Sequence, residues 1–96
     1  MTKIVYFGDS ITYGQYVDPR YTWTTIITEK VQNNYTVVSY RNAISNETSR
    51  HLLLRYSRDV QEVNPDILTI QCGLNDCNYW KSDNGLPRVS KESYKA

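Results

Sequence analysis

Charge excess, long apolar runs, cysteine and histidine are all scarce in this 96-residue sequence, and each shortage removes a class of function. Eleven Lys and Arg stand against ten Asp and Glu, a formal net charge of +1, so no overall field recruits nucleic acid or an anionic membrane. No apolar run approaches the roughly 20 residues that span a bilayer. The first strand pattern begins at Lys3, without the charged and then apolar segments of a leader. The expectation is therefore no nucleic-acid partner, no membrane insertion and, by default, a cytoplasmic location. The two cysteines, Cys72 and Cys77, are too few for a disulfide framework. Their C-x4-C spacing also lacks the second ligand pair of a structural zinc site. Both read as free thiols, with no metal or organic cofactor implied. The lone histidine, His51, is the sole imidazole on which acid–base chemistry could draw.

What is present alternates strand and helix. KIVYF (3–7), TVVSY (36–40) and DILTIQC (66–72) are short, rich in β-branched and aromatic residues and nearly continuous in apolar character. That pattern predicts parallel strands covered on both faces. Between the first two, Trp23, Ile26, Ile27 and Val31 recur at helical spacing; between the second and third, Leu52, Leu53, Tyr56, Val60 and Val63 do the same. The β-α-β-α-β order predicts one parallel α/β layer. A polar, irregular stretch follows from Gly73, after which Ser90 is placed to cap a last helix at KESYKA.

In an open parallel sheet, ligands bind beyond the carboxyl ends of the strands. Each predicted strand here ends in a polar cluster: Gly8-Asp9-Ser10, then Asn42 to Thr48, then Gly73-Leu74-Asn75-Asp76. The topology brings the three clusters to one side. A hydroxyl among hydrogen-bond donors is what acyl transfer requires.

GDSIT (8–12), AISNETS (43–49) and GLND (73–76), in that order, resemble the first three sequence blocks of the SGNH hydrolases, the GDSL-type lipases and esterases. The resemblance covers essentially the whole chain. It implies a flavodoxin-like three-layer α/β fold, with only its first three strands and two crossover helices present. Residues 1–96 would form the N-terminal portion of a single domain, and the later D-x-x-H block would be absent. It also implies a serine esterase acting on a small-molecule lipid or carbohydrate ester. Ser10 would be the nucleophile and lend its backbone N–H to an oxyanion. Asn75 would donate from its side chain, and Asn46 from its backbone N–H. Asn46 departs from the glycine usual there, although asparagine tolerates left-handed backbone better than most residues. Its plainer role is to cap a helix starting at Glu47.

Asp9 reads as a brace for the serine turn, Asp76 as a support for Asn75, and Gly73 as part of the same loop. Tyr79 and Trp80 line an acyl or sugar pocket or simply pack; the sequence leaves both open. His51 falls in the first turns of the second helix, just before Leu52 and Leu53, where a solvated position is expected. The family's imidazole would then come from the missing block, and the third strand's open edge would be free for self-association or pairing with another chain. The alternative is a non-catalytic module that binds an ester or sugar in the same cleft, or half of a split enzyme.

Overall fold

A computed structural model describes residues 1–77 and 88–95. Three parallel strands, β1 (Thr2–Gly8), β2 (Val37–Ala43) and β3 (Ile67–Gln71), form one sheet in the order β2-β1-β3. The helices are α1 (Ser10–Tyr13), α2 (Trp23–Gln32), α3 (Ser49–Tyr56), which runs on through a π-helical turn at Ser57–Gln61, and α4 (Lys91–Lys95). The chain leaves β1 in one direction through α2 and returns past it through α3. That reversal of strand order is the doubly wound arrangement, with a ligand crevice expected at the reversal.

The central strand alternates its side chains between the two faces. Val5 and Phe7 pack with Leu52 and Val60, joined by the partly buried Val63, Leu68 and Cys72. On the other face, Tyr6 meets Trp23 edge to face at 5.4 Å between ring centroids, and its hydroxyl lies 2.9 Å from Thr28 Oγ1.

Four expectations need correction. Ile26 and Ile27 do not face the sheet; they are 40% and 42% exposed, while Thr24 and Thr28 are buried. The reason is the Tyr6 hydroxyl: a buried polar group needs a partner, and Thr28 supplies it where isoleucine cannot. Leu53 likewise points outward, and Tyr56 is half-covered, packing edgewise on Phe7. Only β1 is buried on both faces. Tyr40 on β2 and Ile67 and Ile70 on β3 are exposed; Ile67 and Ile70 fall on opposite faces of β3, so that strand is partly open to solvent on both sides. The second strand also runs on to Ala43, since its register pairs Thr2 with Val37 through to Gly8 with Ala43.

Gly8 sits where three segments converge. A Cβ on it would collide with Thr12 Oγ1 and lie 2.6 Å from the Gln71 carbonyl. Thr12 is fully buried and gives both its N–H (3.2 Å) and its hydroxyl (3.0 Å) to Gln71 Oε1. Gly8→Ala is expected to cost about 1–3 kcal/mol by overpacking and to lower Tm by at least about 4 °C. A thermal melt that moves by less than about 1 °C would show that the turn has room to relax.

Candidate active site

The register explains why the polar clusters meet. Gly8 pairs with Ala43 on one side and Gln71 on the other, so the segments that begin with Asp9, Ile44 and Cys72 leave the sheet at one level. Ile44 N–H donates to the Gly8 carbonyl at 3.2 Å, continuing the pairing into the second loop.

Ser10 opens α1. Asp9, 1% exposed, caps that helix, its Oδ1 accepting from Ile11 N–H at 3.0 Å. Ser10 itself is half-buried, and its carbonyl accepts from Gly14 N–H (2.9 Å) and Gln15 N–H (3.1 Å). The turn is thus closed by backbone bonds, without use of the hydroxyl.

Asn46 has φ = 69°, the left-handed region that asparagine enters more readily than most residues. It does not cap the helix. Thr48 is the N-cap of α3, and the helix starts at Ser49, two residues later than the sequence suggested. Asn46's carbonyl accepts instead from Arg88 Nη1 at 2.8 Å. Asn75 Nδ2 donates to the Glu47 carbonyl at 2.9 Å, which joins the third loop to the second. Gly73 adopts φ = 123°, a conformation that only glycine takes without strain. Asp76 is buried, and its carboxylate accepts from Ser49 N–H at 2.8 Å and from the Ser49 hydroxyl. It anchors the N-terminus of α3, where negative charge is favourable. Tyr79 and Trp80 lie outside the described residues.

His51 is exposed, and its Nδ1 accepts from Thr48 N–H at 3.0 Å and sits 2.9 Å from Thr48 Oγ1. It is the return arm of a capping box, a local task at the start of α3.

Arg55 escaped the sequence reading. Its side chain is 8% exposed. Nε donates to Glu47 Oε2 (2.8 Å), Nη1 to Asn42 O (3.0 Å) and Asp59 Oδ2 (2.8 Å), and Nη2 to Gly8 O (2.8 Å). The guanidinium also lies 4.7 Å from the Phe7 ring centroid. One signal was available: Arg55 is three residues after Leu52 on the helix's buried stripe, with Asp59 one turn further on.

Burial pushes the Cys72 thiol above its ordinary range, and the nearby carboxylates of Asp76 and Asp9 push it further. A raised pKa keeps the reactive thiolate scarce at neutral pH. At about pH 8, iodoacetamide is therefore expected to modify the exposed Cys77 well before Cys72, whose labelling should rise only above the usual thiol pKa of about 8.5. Equal labelling of both, read by peptide mass spectrometry, would contradict this. Among the described residues no group of three or more His, Cys, Asp or Glu could hold a metal ion, and no helix is long and apolar enough to cross a membrane.

The fold and its loops define a parallel α/β layer of the SGNH hydrolase type, with a serine turn at the end of the central strand. Residues 6–91 match the GDSL-like lipase/acylhydrolase family, and the chain belongs to that family. No curated protein matches it significantly. Among solved structures it is similar to a protein assigned as lipolytic in the G-D-S-L family from Desulfitobacterium hafniense (TM-score 0.70, 25% identity, 80% of this chain and 42% of that one). It is also similar to a lipase/acylhydrolase from Enterococcus faecalis (TM-score 0.69, 26% identity, 86% and 46%). An acetylxylan esterase from Geobacillus stearothermophilus matches with a TM-score of 0.66 and 26% identity over 79% of this chain and 40% of that one. The chain thus spans less than half the length of these relatives.

Proposed function

We propose that this chain carries the nucleophile and oxyanion donors of a serine acyl hydrolase acting on carboxylic esters, with Ser10, Asn46 and Asn75 as the working groups. The observation that carries the reading is the junction of the loops: Gly8 is paired to both neighbouring strands, and Asn75 Nδ2 is bound to the Glu47 carbonyl. That bond ties the Asn75 amide to the loop that carries Asn46. Ser10 Oγ attacks the ester carbonyl and passes its proton to an imidazole. The carbonyl electrons move onto an oxyanion, which accepts from the N–H groups of Ser10 and Asn46 and from the Asn75 side chain. The alcohol then departs with the imidazole's proton, and water hydrolyses the acyl-serine. The likeness to an acetylxylan esterase supports a short acyl group on a carbohydrate as the substrate class.

His51 is engaged with Thr48, so the imidazole is assigned to a D-x-x-H segment outside these 96 residues. Hydrolysis of p-nitrophenyl acetate tests this. The 96-residue chain is expected to stay at or below the ~10³–10⁴-fold enhancement that an oxyanion hole and binding alone provide, unchanged by His51→Ala. Fusion to the C-terminal part of a family member bearing D-x-x-H should raise the rate by orders of magnitude, and Ser10→Ala should abolish the gain. A Ser10-dependent burst from the chain alone that His51→Ala removes would sink the assignment. No gain in any folded fusion would favour a non-catalytic ester- or sugar-binding module.

A further inference from the structure

The geometry points to Arg55, acting through Glu47, as the residue that positions the oxyanion donors, an inference that rests on the acyl-hydrolase reading above. One guanidinium reaches both halves of the site. Nη2 holds the carbonyl of Gly8, two residues before Ser10, and Nε holds the side chain of Glu47, the residue after Asn46. The Glu47 carbonyl in turn accepts from Asn75 Nδ2. Arg55 therefore fixes the residue that joins the Asn46 peptide to the Asn75 amide, and also ties down the strand end that carries Ser10. Its planar fork suits it to hold several acceptors at set angles, which the point charge of lysine does not. Asp59 is the internal comparison. It binds Arg55 at 2.8 Å, as Glu47 does, and its side chain is similarly exposed (15% against 16%). It lies beyond α3, however, and carries no loop of the site.

A merely structural role predicts equal consequences at the donor amides when either carboxylate is lost, even though Asp59 has a second partner in Arg58 at 2.9 Å. Positioning predicts unequal ones. The test uses the full ¹⁵N-labelled 96-residue chain, with phenylboronic acid as a tetrahedral mimic that a serine can bind. Both Glu47→Ala and Asp59→Ala are expected to lower Tm. Only Glu47→Ala is expected to move the Asn46 backbone amide and the Asn75 side-chain NH2 resonances in the free protein, and Glu47→Gln, which keeps an acceptor for Arg55 Nε, should largely restore them. Boronate binding should weaken by about tenfold or more in Glu47→Ala, an order below outright loss of a donor, and by less than about twofold in Asp59→Ala. Indistinguishable amide shifts in the two alanine variants would overturn the positioning role, and since they are read without ligand they judge it alone. Boronate binding that survives Ser10→Ala would instead overturn the esterase reading. Should either alanine variant fail to fold, Glu47→Gln against Asp59→Asn provides the same comparison.

Discussion

Arg55→Met is expected to destabilise the chain by about 3–5 kcal/mol, the usual consequence of removing one partner from a buried ion pair. Methionine fills much of the same volume, so the loss is one of pairing rather than of packing. Glu47 and Asp59, at 16% and 15% side-chain exposure, would keep their charges without the guanidinium, and the carbonyls of Gly8 and Asn42 would each lose a donor. Small domains are stable by about 5–15 kcal/mol in all, so the variant should lose a large share of its stability and unfold at lower temperature and lower urea than the parent. Urea titration followed by circular dichroism measures this, and a midpoint equal to the parent's would refute it. The pH dependence has a defined sign. Burial pushes the Asp59 carboxyl up, but hydrogen bonds from Arg58 and Arg55 outweigh it and hold the carboxyl below its ordinary value. A depressed folded pKa contributes stability above the unfolded value of about 3.9, and that contribution is lost as pH falls through the folded one. The gap between parent and Asp59→Asn should therefore close below about pH 4.

Asn75→Ala, in a context that supplies the imidazole, should lower kcat by about 10²–10³, the typical cost of one oxyanion donor, while KM changes little. The substitution also removes the bond from Nδ2 to the Glu47 carbonyl, so the third loop loses its tie to the second. Asn75→Asp preserves size but, like alanine, loses both the donor and the bond to the Glu47 carbonyl, and it adds a negative charge, so it should be at least as damaging as alanine. A loss of less than about threefold in Asn75→Ala would remove this residue from the reaction, because one such donor is worth roughly 3 kcal/mol. A parallel rise in KM would mean that the side chain serves ground-state binding instead.

The order of elements and the side of the sheet on which the site lies were determined by the sequence alone. Short runs of β-branched and aromatic residues separated by helical periodicity specify parallel strands with crossovers, and the polar clusters follow the strands wherever the strands go. The serine turn and the polar residues at the strand ends were legible for the same reason, being local in the chain. The closed role of His51 was half-legible: Thr48 and His51 have the spacing of a capping box, though histidine is not its usual second member.

Tertiary structure alone decided which face of α2 is buried and what Arg55 does. Thr28 displaces the isoleucines from the interior because a hydroxyl on Tyr6, 22 residues away, needs a partner. The Arg55 side chain reaches the Gly8 carbonyl across 47 residues and the Asn42 carbonyl across 13. Backbone carbonyls are invisible to composition and periodicity, since every residue has one. Which of them comes within reach of a buried guanidinium at the end of a sheet emerges only when the strands are in register, and there the cation finds the acceptors it requires.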